Sequence, residues 1–237
     1  MRIVMFLKII NSVRSAIHCW LSNMTNTVHT LTLSDVKYDK KLGEISVYTS
    51  GYQNIIIPEC FGEFPVNAIG NKAFFSKKIT HVIIPDSVTA IGESAFSYNN
   101  LTTVTFPNTV SFIGEFAFSN NILTCVNLPK FMIKIHGAAF AINELTHVDI
   151  PSSVEYIGDF AFEGNHLKSI TIPDSVTFID EGAFMDNALE TVVISQSIAH
   201  IGKGAFVGNN LINVTIPESI LLTNKEIFDE GVKIIGY

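Results

Sequence analysis

Cys125, His147 and Asp149 are the residues whose types and spacing come nearest to reaction machinery. His147 follows Cys125 by 22 residues, and Asp149 follows His147 by two. If the chain returns to the same place every 22 residues, neighbouring strands about 4.8 Å apart put the thiol beside the imidazole. A thiol, a base and an orienting carboxylate form a nucleophile constellation. The same three groups are also ligand types for a metal. A nucleophile additionally needs oxyanion donors, a water-excluding pocket and a strained elbow, and an outward strand surface supplies none of these. The expectation is therefore a non-enzymatic chain with no catalytic residues, no cofactor and no metal site.

What would position these residues is an internal repeat. Proline falls at Pro85, Pro107, Pro129, Pro151, Pro173 and Pro217, with Ser195 in the one missing place. Isoleucine follows at Ile91, Ile113, Ile135, Ile157, Ile179 and Ile201, and phenylalanine at Phe96, Phe118, Phe140, Phe162, Phe184, Phe206 and Phe228. Asparagine closes each unit at Asn99, Asn121, Asn143, Asn165, Asn187 and Asn209. An earlier copy starts at Pro58 and holds five extra residues, expected to form a loop. A regular period of this kind marks a stacked solenoid, because one unit cannot bury its apolar face alone.

Within a unit, Leu101 to Phe106 alternates around β-branched residues and is closed by Pro107, the pattern of a short strand. Leu101, Val104 and Phe106 are expected inside, with Thr103 and Thr105 outside. The phenylalanine column should stack as a spine, with the alanine before each ring leaving it room. The asparagine column suits a tight inter-repeat turn, its amide satisfying backbone groups of the next coil. The column Gly70, Gly92, Gly114, His136, Gly158, Asp180, Gly202 reads as a left-handed backbone position, since Asp and His are among the non-glycine residues found there.

The unit L-x-x-V-x-I-P-x-x-V-x-x-I-G-x-x-A-F, as in Leu145 to Phe162, resembles the BspA-like, Treponema-type class of leucine-rich repeats. That family often carries cysteine near the end of each repeat, where this chain has asparagine. The resemblance implies an α/β-type repeat solenoid of short parallel strands with irregular or short-helical return limbs. It also implies a right-handed leucine-rich-repeat solenoid with an N-terminal cap, and a secreted or cell-surface protein that binds host or other cell-surface proteins.

The expected organisation is one domain. Residues 1–30 read as a signal or amphipathic segment, 31–54 as a β-hairpin cap, 55–223 as the 22-residue repeats and 224–237 as a C-terminal cap. With 15 Lys and Arg against 22 Asp and Glu, the net charge of −7 argues against a nucleic-acid partner. Mean hydropathy is high at +0.34, yet no run reaches the roughly 18 apolar residues that a membrane span needs.

The functional expectation is recognition of a protein partner by a monomer; the alternative is a structural, self-assembling repeat protein. Partner-binding candidates are the outward strand residues Thr103, Asn127, His147, Asp149 and Ser169. The rival surface is an aromatic flank of Phe112, Phe116, Tyr156, Phe160 and Phe178, residues that either fill grooves between coils or make contacts.

Overall fold

The structure, a computed structural model, describes residues 28–221 and 226–236. The segment expected to be a signal or amphipathic helix falls outside the described residues up to position 27, and so do 222–225 and 237 of the C-terminal region.

The chain opens with β1 (His29–Thr30), then a hairpin of β2 (Val36–Asp39) and β3 (Glu44–Tyr48), then β4 (Asn54–Ile56). The five extra residues are ordered: β5 (Cys60–Phe61) and β6 (Phe64–Pro65) pair antiparallel as a small ribbon. Gly62 turns it at φ +68°. From there the strands alternate between two walls. One wall holds β4, then β8 (His81–Ile83), β13 (Ser169–Thr171), β15 (Thr191–Val193) and β17 (Asn213–Ile216). The other holds β7 (Ala68–Ile69), β9 (Ala90–Ile91), β10 (Phe112–Ile113), β11 (Lys134–Ile135), β12 (Tyr156–Ile157), β14 (Phe178–Ile179) and β16 (His200–Ile201). Where strands of neighbouring coils pair on this second wall they do so parallel and in register, as in Tyr156 with Phe178 and Phe178 with His200, and among the described residues the wall divides into two sheets between β10 and β11.

The return limbs are therefore not helical, and the α/β and short-helix expectation is corrected. Each limb is a two-residue strand followed by turns. Among the described residues the single helix is α1 (Glu218–Leu221), four residues long. The physical reason is space: a coil of 22 residues has to run two walls and three corners, which leaves no room for several helical turns.

The proline column makes the first corner. Val88 N–H donates to the Pro85 carbonyl at 3.1 Å, and the same turn recurs at Val110, Val154 and Val176. Proline stands first in this turn and has no N–H to continue a ladder, so the strand ends there. Ser195 substitutes for it by accepting the Ser197 N–H on its own Oγ at 3.0 Å.

Inside, Phe74, Phe96, Phe118, Phe140, Phe162, Phe184 and Phe206 are fully buried. Their rings stack in sequence at 4.9–5.8 Å, and Tyr48 and Phe228 extend the row at its two ends. Burying each ring removes about 1.5–3 kcal/mol of apolar exposure.

The asparagines run parallel to this spine. Asn143 accepts the Leu123 N–H on Oδ1 and donates Nδ2 to the Phe118 and Phe140 carbonyls, at 3.0–3.2 Å. Its partners lie in its own coil and the preceding one, not the following one. The same pattern holds from Asn99 to Asn209.

A third ladder is made by backbone alone. Phe116, Phe118 and Asn120 donate N–H to the carbonyls of Gly137, Ala139 and Ala141 in the next coil, at 2.9–3.0 Å. Most of the left-handed residues lie here, in two columns. One holds Lys72, Ser94, Phe116, Ala138, Phe160, Gly182 and Gly204; the other holds Ser76, Tyr98, Asn120, Ile142, Gly164, Asp186 and Gly208.

The column of Gly70, Gly92, Gly114, Gly158 and Gly202 is absent from the positive-φ positions, which corrects the left-handed expectation. These glycines answer to crowding. A Cβ on Gly114 would meet the Glu93 nitrogen at 2.7 Å, and one on Gly202 would meet the Glu181 nitrogen at 2.4 Å. His136 and Asp180, which carry a Cβ at this point, each hold a cross-coil partner. The His136 ring lies 4.8 Å from Phe112, and Asp180 accepts the Tyr156 hydroxyl.

The N-terminal hairpin adds to the return-limb wall through β3, which pairs parallel with β7. It is anchored by buried Asp35, whose carboxylate accepts Ser50 Oγ, Thr32 N–H and Thr32 Oγ1 and contacts His29 Nε2. Burial alone would raise this carboxyl, but the hydrogen bonds from Ser50, His29 and Thr32 outweigh it and hold the pKa well below the usual range.

Candidate functional site

The outward strand residues are exposed because the pleat turns them away from Leu101, Val104 and their equivalents, which are buried. Parallel bridges Ile83 to Thr105, Thr105 to Asn127 and Val126 to Val148 carry the register across the central coils. They set Cys125 next to His147 and Asn127 next to Asp149. Asn127, His147, Asp149 and Ser169 are exposed and Thr103 is half-buried. At the N-terminal end the face changes: Asn54 is buried, with its Oδ1 within hydrogen-bond distance of Thr80 Oγ1 and His81 Nδ1. Two polar residues of this ladder therefore bond to each other rather than to solvent.

Among the described residues, strand pairing lapses twice on this wall, between Val148 and β13 and between β15 and β17. A cleft opens at each lapse. The first, about 200 Å³, is lined by His147, Asp149, Ser169 and Thr171. The second, about 800 Å³, lies between Thr191–Gln196 and Ile212–Thr215. Three of the five candidates thus share one cleft. Asn127 adjoins it through Asp149, and Thr103 shares the wall two coils away without reaching the cleft.

His147 Nε2 lies 3.0 Å from Asp149 Oδ1, but the side chains are 67% and 91% exposed. Cys125 is a free, exposed thiol. A base and carboxylate held in bulk water can donate and accept hydrogen bonds to a partner. They lack the desolvated surroundings that make such groups reactive. Among the described residues no group of three His, Cys, Asp or Glu side chains is placed to hold a metal ion.

The aromatic flank divides in two. Tyr156, Phe178 and His200 stack on one another along the return-limb wall at 5.1 and 4.2 Å, with Lys134 Nζ 4.1 Å from the Tyr156 centroid. Their faces are occupied by each other, so they serve as cross-strand pairs. Phe116 and Phe160 lie elsewhere, in the left-handed column of the turn edge, where Phe75, Tyr98 and Ile142 join them. Sequence reasoning missed that grouping. The signal was Gly182 and Gly204 in one column and Gly164 and Gly208 in the other, which mark both columns as left-handed.

Several comparisons bear on this architecture. The family model for the BspA type leucine-rich repeat region matches residues 67–190 and 179–235, in six copies. The crystal structure of the T. pallidum leucine-rich repeat protein is 22% identical and superposes with a TM-score of 0.72, covering 86% of this chain and 100% of that one. A leucine-rich cell surface protein from Faecalibacterium prausnitzii is 20% identical, with a TM-score of 0.33 over 82% of this chain and 90% of that one. No curated protein matches the chain. With the family model spanning most of the sequence, and the same stacked parallel coils in the first of these structures, the chain belongs to the BspA-type leucine-rich repeat family.

Proposed function

We propose that the chain is a non-enzymatic recognition module, secreted or displayed at a cell surface, that binds another protein through its strand wall. The family supports a protein-interaction or structural repeat module in general terms. The observation that carries the finer reading is the cleft at the lapse after Val148. It gathers His147, Asp149 and Ser169 on side chains that contribute nothing to the core. A rigid stack beneath a face of variable polar residues gives specificity at little cost in stability. The N-terminal hairpin, continuing the return-limb wall through β3, acts in this reading as the cap of the first coil.

The test is a pull-down of surface proteins with the full chain and with a variant carrying Thr103, Asn127, His147, Asp149 and Ser169 all as alanine. The reading expects a captured protein with the parent and its loss with the variant at unchanged melting temperature. Capture that survives all five changes would overturn it.

A further inference from the structure

The two left-handed columns hold large residues that the backbone does not ask for. At φ +54° to +57° stand Tyr98, Phe116, Ile142 and Phe160. Bulky and β-branched side chains are outliers in this region. The same columns hold glycine at Gly164, Gly182, Gly204 and Gly208. Tyr98 is 57% exposed, Ile142 51% and Phe116 47%. Strain kept where glycine would serve, on residues facing solvent, marks a surface held for contact.

Their order along the solenoid has a period. In one column Phe116 and Phe160 stand two coils apart with Ala138 between them, and in the other Tyr98 and Ile142 stand two coils apart with Asn120 between them. Between the columns runs a groove of about 260 Å³ whose floor is Ser97, Ser119 and Ala141, with Phe75 at one end and Glu163 at the other. With coils about 4.8 Å apart, a large side chain recurs on each side every ~9.6 Å, and the groove runs about 19 Å from Phe75 to Glu163. A polyproline II helix repeats every three residues, or about 9.3 Å, so about six residues span the groove. An extended strand repeats about every 6.8 Å and an α-helix about every 5.4 Å, and neither matches two coils.

The lining has the chemistry that such a segment uses. Proline rings pack on aromatic and aliphatic walls, and the carbonyls of a polyproline II helix have no partners within it, so they accept from outside donors. The exposed Tyr98 supplies a hydroxyl, and Asn120 keeps a second Nδ2 proton beside the one it donates to Ser119 Oγ at 2.7 Å. Glu163 is the one charged residue of the lining. Its carboxyl is pushed up by partial burial and by Asp186, and among the described residues neither acid has an ion pair. Toward the Phe75 end, Lys72 is already paired with Glu93 at 3.9 Å. The groove therefore suits an uncharged segment with one basic residue at its Glu163 end.

We propose that this turn edge is a second interaction surface, which takes a proline-rich segment of a partner protein as a polyproline II helix, with an arginine or lysine of that segment at Glu163. Tyr98, Phe116, Ile142 and Phe160 wall its two successive turns. The proposal goes beyond the recognition reading and leaves the strand wall free for its own partner.

Isothermal titration calorimetry of the full chain with decaproline carrying an arginine at each end tests it. The parent should bind saturably, and a glycine–serine peptide of the same length and ends should not bind. Phe116→Gly with Ile142→Gly should weaken binding at least tenfold, with a melting temperature at least equal to that of the parent. Glu163→Gln should weaken binding of the arginine-flanked peptide at least threefold and leave that of plain decaproline unchanged. No binding by the parent at about 1 mM peptide, unchanged binding in the double glycine variant, or equal binding of the glycine–serine peptide overturns the proposal. So does a dimer of the free parent, seen by sedimentation velocity and lost in the double glycine variant, which gives the groove to a second copy. The five-alanine variant of the strand wall should bind the peptide as the parent does, so failure of this proposal and failure of the recognition reading are told apart.

Discussion

The asparagine column and the two left-handed columns lie a few residues apart in every coil, yet they treat sequence in opposite ways. From Asn99 to Asn209 the first never changes, while the second pair accepts Lys, Ser, Phe, Ala, Tyr, Asn, Ile, Asp and Gly. The difference follows from which atoms make the coil-to-coil bonds. Asn143 uses its side chain to satisfy one N–H and several carbonyls at once, and no other side chain of its size carries both an acceptor and a two-proton donor. At Phe116 the bond to the Gly137 carbonyl uses the backbone N–H, so the side chain has no part in it. A dihedral demand constrains the backbone and only penalises the residue, whereas a side-chain demand dictates it.

The comparison can be broken most forcefully at the core. Phe140→Ala should cost about 3–5 kcal/mol in urea unfolding, since its ring is stacked on both sides. Phe228→Ala, stacked on Phe206 and more exposed, should cost roughly half as much. Asn143→Ala should follow at about 2–4 kcal/mol, for it strands buried groups in two coils. A loss below about 1 kcal/mol would mean that water replaces the amide and that the column is not held by hydrogen bonding.

Asp35 provides a smaller effect with a pH signature. Its native pKa is depressed, so its contribution is complete above the ordinary aspartate value near 4 and is lost as pH falls through the native value. Melting curves from pH 7 down to pH 2 should show the parent losing stability below about pH 4, and Asp35→Ala losing less over the same interval. Parallel curves would show that the Ser50, His29 and Thr32 bonds do not survive in solution.

Much of this was legible in the sequence because the period is exact in residue count. Proline, isoleucine, phenylalanine and asparagine each occupy one buried or turn position, so counting alone finds the spine and the corners. The glycine column was misread because glycine answers equally to a positive φ and to close approach, and nothing in one column separates the two. Only the neighbouring backbone of Glu93 and Glu181 decides it. The helical return limbs failed for a related reason: an apolar pair such as Phe112–Ile113 fits a helix turn or a two-residue strand equally well. At the candidate site, the outward order of Thr103, Asn127, His147, Asp149 and Ser169 followed from strand alternation. The lapses in pairing beside the clefts fall between coils that share one repeat pattern, so no single residue announces them.

The most direct test of the account compares two residues of one turn, Gly114→Ala and Phe116→Gly, by urea unfolding. Gly114→Ala should lose about 1–3 kcal/mol, because its methyl group meets the backbone of the preceding coil. Phe116→Gly should lose nothing or gain slightly, because glycine accepts φ +57° without strain. A tolerated Gly114→Ala together with a costly Phe116→Gly would contradict the assignment of crowding to one column and left-handed strain to the other.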